Sequence, residues 1–113
     1  MSGPLAGYRI IDVTQMLSGP MATMILGDQG ADVIKVEPPD EGDPARGAAP
    51  FLDDGYSSYF FGINRSKRSI TLDLAHPRGR ELLLDLVSRS DVLIENFLPG
   101  TMARFGLEYP VIQ

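Results

Sequence analysis

The sequence predicts an α/β domain with a mainly parallel sheet and flanking helices, and two observations carry that expectation. Residues 8–36 hold a short β-rich run, an apolar helical segment and a second β-branched run. That order is a β-α-β unit, whose strands run parallel and whose crossover is right-handed. Further along, DVLIE at residues 91–95 sets three apolar residues in a row, as a strand covered on both faces requires.

The first strand is YRIIDV, residues 8–13. TQMLSG leads from it into PMATMIL, residues 20–26, where only Thr23 is polar, so the helix is expected to be buried nearly all round. Ser18 is the expected N-cap, Pro20 sits in the first turn where its missing N–H costs nothing, and Gly27 or Gly30 supplies the left-handed stop. ADVIKV, residues 31–36, is the second strand. From Glu37 to about Lys67 the pattern dissolves. A connection of this length is functional or carries structure of its own, and a short helix is expected around residues 59–61.

Residues 69–74 form the third expected strand and residues 77–89 a helix. Gly79, Leu82, Leu83, Leu86 and Val87 fall on one face of that helix, with Arg78, Arg80, Glu81 and Arg89 on the wet side. The fourth strand, residues 91–95, precedes a short helix at residues 101–105 that Gly106 stops. LEYPVIQ reads as the first turn of another helix with Pro110 near its start and no stop signal, so the chain is expected to be an incomplete domain. One long amphipathic helix should also leave one face of a parallel sheet poorly covered, to be closed by further sequence or by a partner.

Composition bounds the function. At 113 residues there is room for one domain, and 43% hydrophobic with 22% charged residues is ordinary for a globular protein. The absence of cysteine excludes a disulfide frame or a cysteine-based metal or redox site, and fits a cytoplasmic location. The N-terminus lacks the basic and apolar regions of a signal peptide, and no apolar run is long enough to span a membrane. A net charge of -5 argues against nucleic acid as a partner.

In open α/β sheets ligands sit beyond the carboxyl ends of the strands, here TQMLSGP, EPPDEGD, DLAHP and ENFLPG. Asp12, Glu37, Asp73 and Glu95 lie near those ends and give an acidic rim, which turn and cap chemistry alone also explains. G-x-G-x-x-G and the P-loop spacing are absent, and the single His76, before Pro77, reads as a helix-entry residue and a poor zinc ligand. No nucleophile-base pair can be read from spacing. The open possibility is an anion site with Lys67, Arg68 and Arg104 as candidate cations. A solvated face, or ion pairs with Glu37, Asp40, Glu41 and Asp43, explains the basic cluster of Arg65, Lys67 and Arg68 equally well.

Read together, residues 3–37, GDPARG, and the stretch from YFFGINRSKRS through DVLIENFLPGTMARFG strongly resemble the N-terminal segment of the class III coenzyme A (CoA) transferases. That family includes formyl-CoA transferase, carnitine-CoA transferase and α-methylacyl-CoA racemase. The similarity runs over nearly the whole chain, broken only between about Gly47 and Tyr56. It implies a Rossmann-like large domain that binds the CoA nucleotide, CoA thioesters and carboxylic acids as substrates, no prosthetic group, and subunits interlocked as dimers.

The CoA-contacting positions it implies are Leu17 and Ser18, then Leu72, Asp73, Leu74 and Ala75, then Asn96, Phe97 and Leu98, and Arg104. Two positions depart from the family pattern. Pro38 and Ala75 stand where relatives often carry cations, which implies a weaker electrostatic hold on the nucleotide. The family's nucleophilic aspartate lies beyond the matched region, so the chain is expected to be inactive alone. Lys67 and Arg68 precede the third strand at the end opposite the LDLA contacts, roughly 20 Å away, which favours a structural or interface role for the basic cluster. The readings to be separated are a CoA-transferase, a racemase of the same family, and a non-catalytic nucleotide-binding or interaction module.

Overall fold

The computed structural model describes residues 2–113. Four strands form one parallel sheet: β1 (Arg9–Asp12), β2 (Asp32–Glu37), β3 (Lys67–Thr71) and β4 (Val92–Ile94), in the spatial order β3-β2-β1-β4. The expected α/β class and parallel pairing are therefore observed. Helix α1 (Ser18–Asp28) crosses from β1 to β2, and α3 (Pro77–Ser88) crosses from β3 to β4. Short helices α2 (Ser58–Ile63), α4 (Thr101–Arg104) and α5 (Tyr109–Ile112) complete the set. The long connection carries a 3-10 turn, Pro44–Gly47, as well as α2, which spans the expected 59–61 helix.

Side chains alternate across the sheet, and its two faces differ in chemistry. Ile11, Val13, Ile34 and Val36 pack with Leu83 of α3 and with Leu107 in an apolar cluster. On the other face Ile10, Ala31 and Val33 pack with Leu5 and Leu26, but the next positions along are charged. Asp12, Lys35 and Glu37 are each buried there. The expected bare face is not found at the sheet's centre, because α1 and the 43–63 segment cover what α3 does not. Exposure is instead at the edges, where Ile70 and Val92 are partly open.

Three boundaries differ from the sequence expectation. Leu17, not Ser18, caps α1; no side chain bonds the freed amides, and the Leu17 carbonyl takes the Met21 amide at 2.8 Å. The helix runs through Gly27 to Asp28, with Gln29 as its C-cap and Gly30 following at φ 104°, the left-handed conformation glycine favours. Strand β3 starts two residues earlier than expected, at Lys67, because Lys67 and Arg68 pair with Val33 and Ile34 and both find carboxylates for their side chains. No helix among the described residues is long and apolar enough to cross a membrane.

Candidate functional site

The carboxyl ends of β1, β2 and β3 open onto a cavity of about 180 Å³. Val13 and Gln15 line it after β1, residues 36–39 at and just past the end of β2, residues 72–75 after β3, and Phe97 and Phe105 close it from the β4 side. The walls are mainly apolar: Val13, Val36, Leu72, Leu74 and the two phenylalanines, whose rings meet edge-on at 6.0 Å. Such a pocket suits a flat, weakly polar group.

The 72–75 turn is held by its own chemistry. Asp73 accepts the Ala75 amide on its carboxylate at 3.0 Å and the His76 amide on its carbonyl at 3.1 Å. Helix α3 then begins at Pro77, with His76 Nδ1 accepting the Arg78 amide at 3.1 Å, so His76 is the helix-entry residue its context implied. Gly79 lets the first turn of α3 lie directly on this turn; a Cβ there would overlap the Asp73 carbonyl. Beyond β4, Glu95 likewise accepts the Phe97 amide at 2.8 Å.

Gln15 is tied at both ends of its peptide. Asn96 Oδ1 accepts the Gln15 amide at 3.0 Å, and Asn96 Nδ2 donates to the Gln15 carbonyl at 2.9 Å. The next residue, Met16, sits at φ 71°, unusual for a side chain that is not glycine. Its amide donates to Asp43 Oδ1 at 3.1 Å, and Lys35 Nζ donates to the Thr14 carbonyl at 3.1 Å.

Beneath this turn lies a layer of buried charge. Lys35 Nζ is 2.7 Å from Asp43 Oδ2, both side chains being 1% exposed. The contact is one of charge; Oδ2 receives no well-directed hydrogen bond, and Oδ1 takes the amides of Met16 and Ala45. Glu37 accepts from the Asp43 amide, from Arg46 Nε at 2.7 Å and Nη2 at 2.8 Å, and from Ser69 Oγ. Burial alone would raise the Glu37 carboxyl, but Arg46, Ser69 and the Asp43 amide outweigh it and bring it down to about 2. Arg46 in turn stacks on Phe60, 3.9 Å from the ring centroid. Asp12 is likewise held below the usual carboxylate value: burial pushes it up, and Thr14, Thr23 and Lys67 more than reverse that.

The acidic rim is therefore half internal. Asp12 and Glu37 face inward and are neutralised, whereas Asp73 and Glu95 bond the next turn. The basic cluster is structural: Lys67 pairs with buried Asp12, Arg65 with Asp28 at 2.9 Å and Arg68 with Asp32 at 2.8 Å. None of the expected partners Glu37, Asp40, Glu41 or Asp43 is used by these three.

Of the residues singled out from the sequence, Leu72, Asp73, Leu74, Ala75 and Phe97 come together in the cavity wall. Leu17, Ser18, Asn96, Leu98 and Arg104 lie outside it. Leu98 is 80% exposed, and Arg104 stands on α4 with Nη2 3.2 Å from Thr101 Oγ1. Sequence reasoning does not single out Lys35, reaches Gln15 only as part of TQMLSGP, and names Asp43 only as a possible partner of the basic cluster. A lysine inside the apolar run VIKV was the available signal, since a charge on a strand covered on both faces requires a buried partner. Among the described residues no group of three or more His, Cys, Asp or Glu side chains is placed to hold a metal.

A parallel sheet with an apolar cleft beyond its carboxyl ends places the chain among the open α/β proteins, which bind their ligands at that position. The chain belongs to CoA-transferase family III, whose model matches residues 5–113. It is 48% identical over 98% of its length to a succinyl-CoA:mesaconate CoA-transferase of Haloarcula hispanica. It is 47% identical over its whole length to a formyl-CoA:oxalate CoA-transferase of Bradyrhizobium diazoefficiens. These matches cover 29% and 27% of the two relatives, so the chain spans less than a third of their length. Among solved structures, a CAIB/BAIF family protein from Brucella suis superposes with a TM-score of 0.90 at 41% identity, over 99% of this chain and 30% of that one.

Proposed function

We propose that residues 1–113 are the N-terminal, CoA-binding portion of a Rossmann-like domain in a CoA-transferase that moves CoA from an acyl-CoA to a free carboxylic acid. The observation that carries this reading is the cavity at the strand ends. It gathers the 72–75 turn and Phe97, five of the ten positions at which the family resemblance places CoA. The apolar walls accept a ring of the nucleotide, and no cation lines the cavity, as the Pro38 and Ala75 departures imply. Arg104, exposed on α4, is the candidate phosphate partner; its guanidinium presents a fork of donors. Catalytic groups come from beyond this portion, so the chain binds without transferring. The complete enzyme uses no prosthetic group, works as an interlocked homodimer, and is cytoplasmic. The names of the relatives support transfer over α-proton exchange.

Isothermal titration of CoA into the chain and into the complete gene product tests binding. Acid-dependent CoA exchange, run against α-proton exchange in a 2-methylacyl-CoA, tests the reaction. Absence of CoA binding by the complete product overturns the reading, and α-proton exchange without CoA exchange replaces it with the racemase.

A further inference from the structure

We propose that Asp43, held in place by Lys35, is a positioning residue of the CoA site: it fixes the 14–16 turn so that Gln15 forms part of the cavity wall. The inference rests on the CoA-binding reading above. Gln15 lines the cavity, yet it lies on a turn that has little reason to keep its shape, because Met16 adopts a positive φ that a methionine enters only at a cost. Three side chains oppose that cost. Asn96 holds the Gln15 peptide at both ends, Lys35 Nζ donates to the Thr14 carbonyl, and Asp43 Oδ1 accepts the Met16 amide.

Only the last of these acts on the strained residue itself. Asp43 is in turn positioned from below: its amide donates to Glu37 at 2.9 Å, its Oδ2 lies against the Lys35 ammonium, and Oδ1 also caps the Pro44–Gly47 turn through Ala45. The buried pair thus links the end of β2, the 3-10 turn and the β1–α1 turn. Removing one partner would strand a buried charge and confuse a folding defect with a positioning one. Removing both charges avoids this, because uncharged replacements of similar volume are often tolerated.

The test compares two double variants of the complete gene product. Lys35→Met with Asp43→Asn keeps an oxygen acceptor for the Met16 amide; Lys35→Met with Asp43→Leu does not. Both lack the charges and the Lys35 bond to Thr14. Thermal midpoints and titrations with CoA are measured for each and for the unaltered protein. The leucine variant leaves the Met16 and Ala45 amides unpaired and is expected to melt somewhat lower, but the asparagine variant is expected to bind CoA about tenfold more tightly at temperatures where both variants are fully folded. Equal CoA affinity in the two folded variants overturns the positioning role. A difference in affinity matched wholly by a difference in stability overturns it too, since that is what a structural role alone gives. If the unaltered protein fails to bind CoA, it is the CoA-binding reading that falls.

Discussion

Lys67 Nζ lies 2.9 Å from Asp12 Oδ2, joining the first residue of β3 to the last residue of β1 across the width of β2. Both side chains are buried, and the ammonium completes its shell with the Pro20 carbonyl at 3.0 Å and Asn64 Oδ1 at 2.8 Å. Breaking a buried pair from one side leaves the other charge uncompensated. Lys67→Met is therefore expected to destabilise the fold by about 3–5 kcal/mol. Arg68→Met, one residue on but solvent-exposed against Asp32, should cost no more than about 1 kcal/mol. Denaturant unfolding of the two variants checks the contrast, and similar losses would show that the two positions do not differ as the geometry requires.

Glu37 gives the fold an acid limit. Its carboxyl titrates from an ordinary value of 4.5 down to about 2 in the folded state, so protonation favours the unfolded chain. The corresponding stability is fully present above pH 4.5 and is lost as the pH falls through about 2. The contribution is roughly 3 kcal/mol. Thermal midpoints between pH 5 and 2 should fall steeply in the unaltered protein and less steeply in Glu37→Gln; parallel curves would remove Glu37 from this role.

Arg104 is the cation to test for phosphate binding. Its guanidinium reaches only the Thr101 hydroxyl among the described residues and pairs with no carboxylate there, Glu108 included. Arg104→Ala in the complete gene product is expected to weaken CoA binding by about 1.5–3 kcal/mol with little change in thermal midpoint. Titration at fixed salt decides it; an unchanged affinity places the phosphates elsewhere.

Gly79 couples helix packing to the cavity. A methyl group there must push α3 off the Asp73 carbonyl, and overpacking of this kind costs about 1–3 kcal/mol. Gly79→Ala should lower the thermal midpoint and weaken CoA binding together, because residues 72–75 line the cavity. A loss of stability with full CoA affinity would show that the turn recovers its shape once ligand is bound.

The parts of the fold that were legible in the sequence are those written in periodic apolar residues: β1, β2, β4 and α3 fall within a residue or two of their expected bounds. What was misread was charge. Lys67 and Arg68 read as loop residues, and β3 is expected too late, because local pattern does not show Asp32 on the adjacent strand or Asp12 one strand further on. Asp12 looked like a rim acid for the same reason. At the site, the 72–75 turn and Phe97 of the positions the family resemblance implies line the cavity, and Leu17, Ser18, Asn96, Leu98 and Arg104 do not. Gln15 escaped because its partners Asn96 and Asp43 sit far along the chain, with no spacing to announce them.

The buried ion pairs also solve a problem of misalignment that oil cannot. Along a strand, a slip of one residue turns every side chain to the wrong side and is punished at once, but a slip of two returns each greasy residue to a greasy place. Apolar packing is nearly blind to that second error. If β3 slid by two against β2, Lys67 would leave Val33 and stand beside Lys35, setting two ammonium groups side by side in a dry layer. Lys67, Lys35 and Asp12 thus work as the wards of a lock, admitting one alignment of the strands whose ends form the cavity.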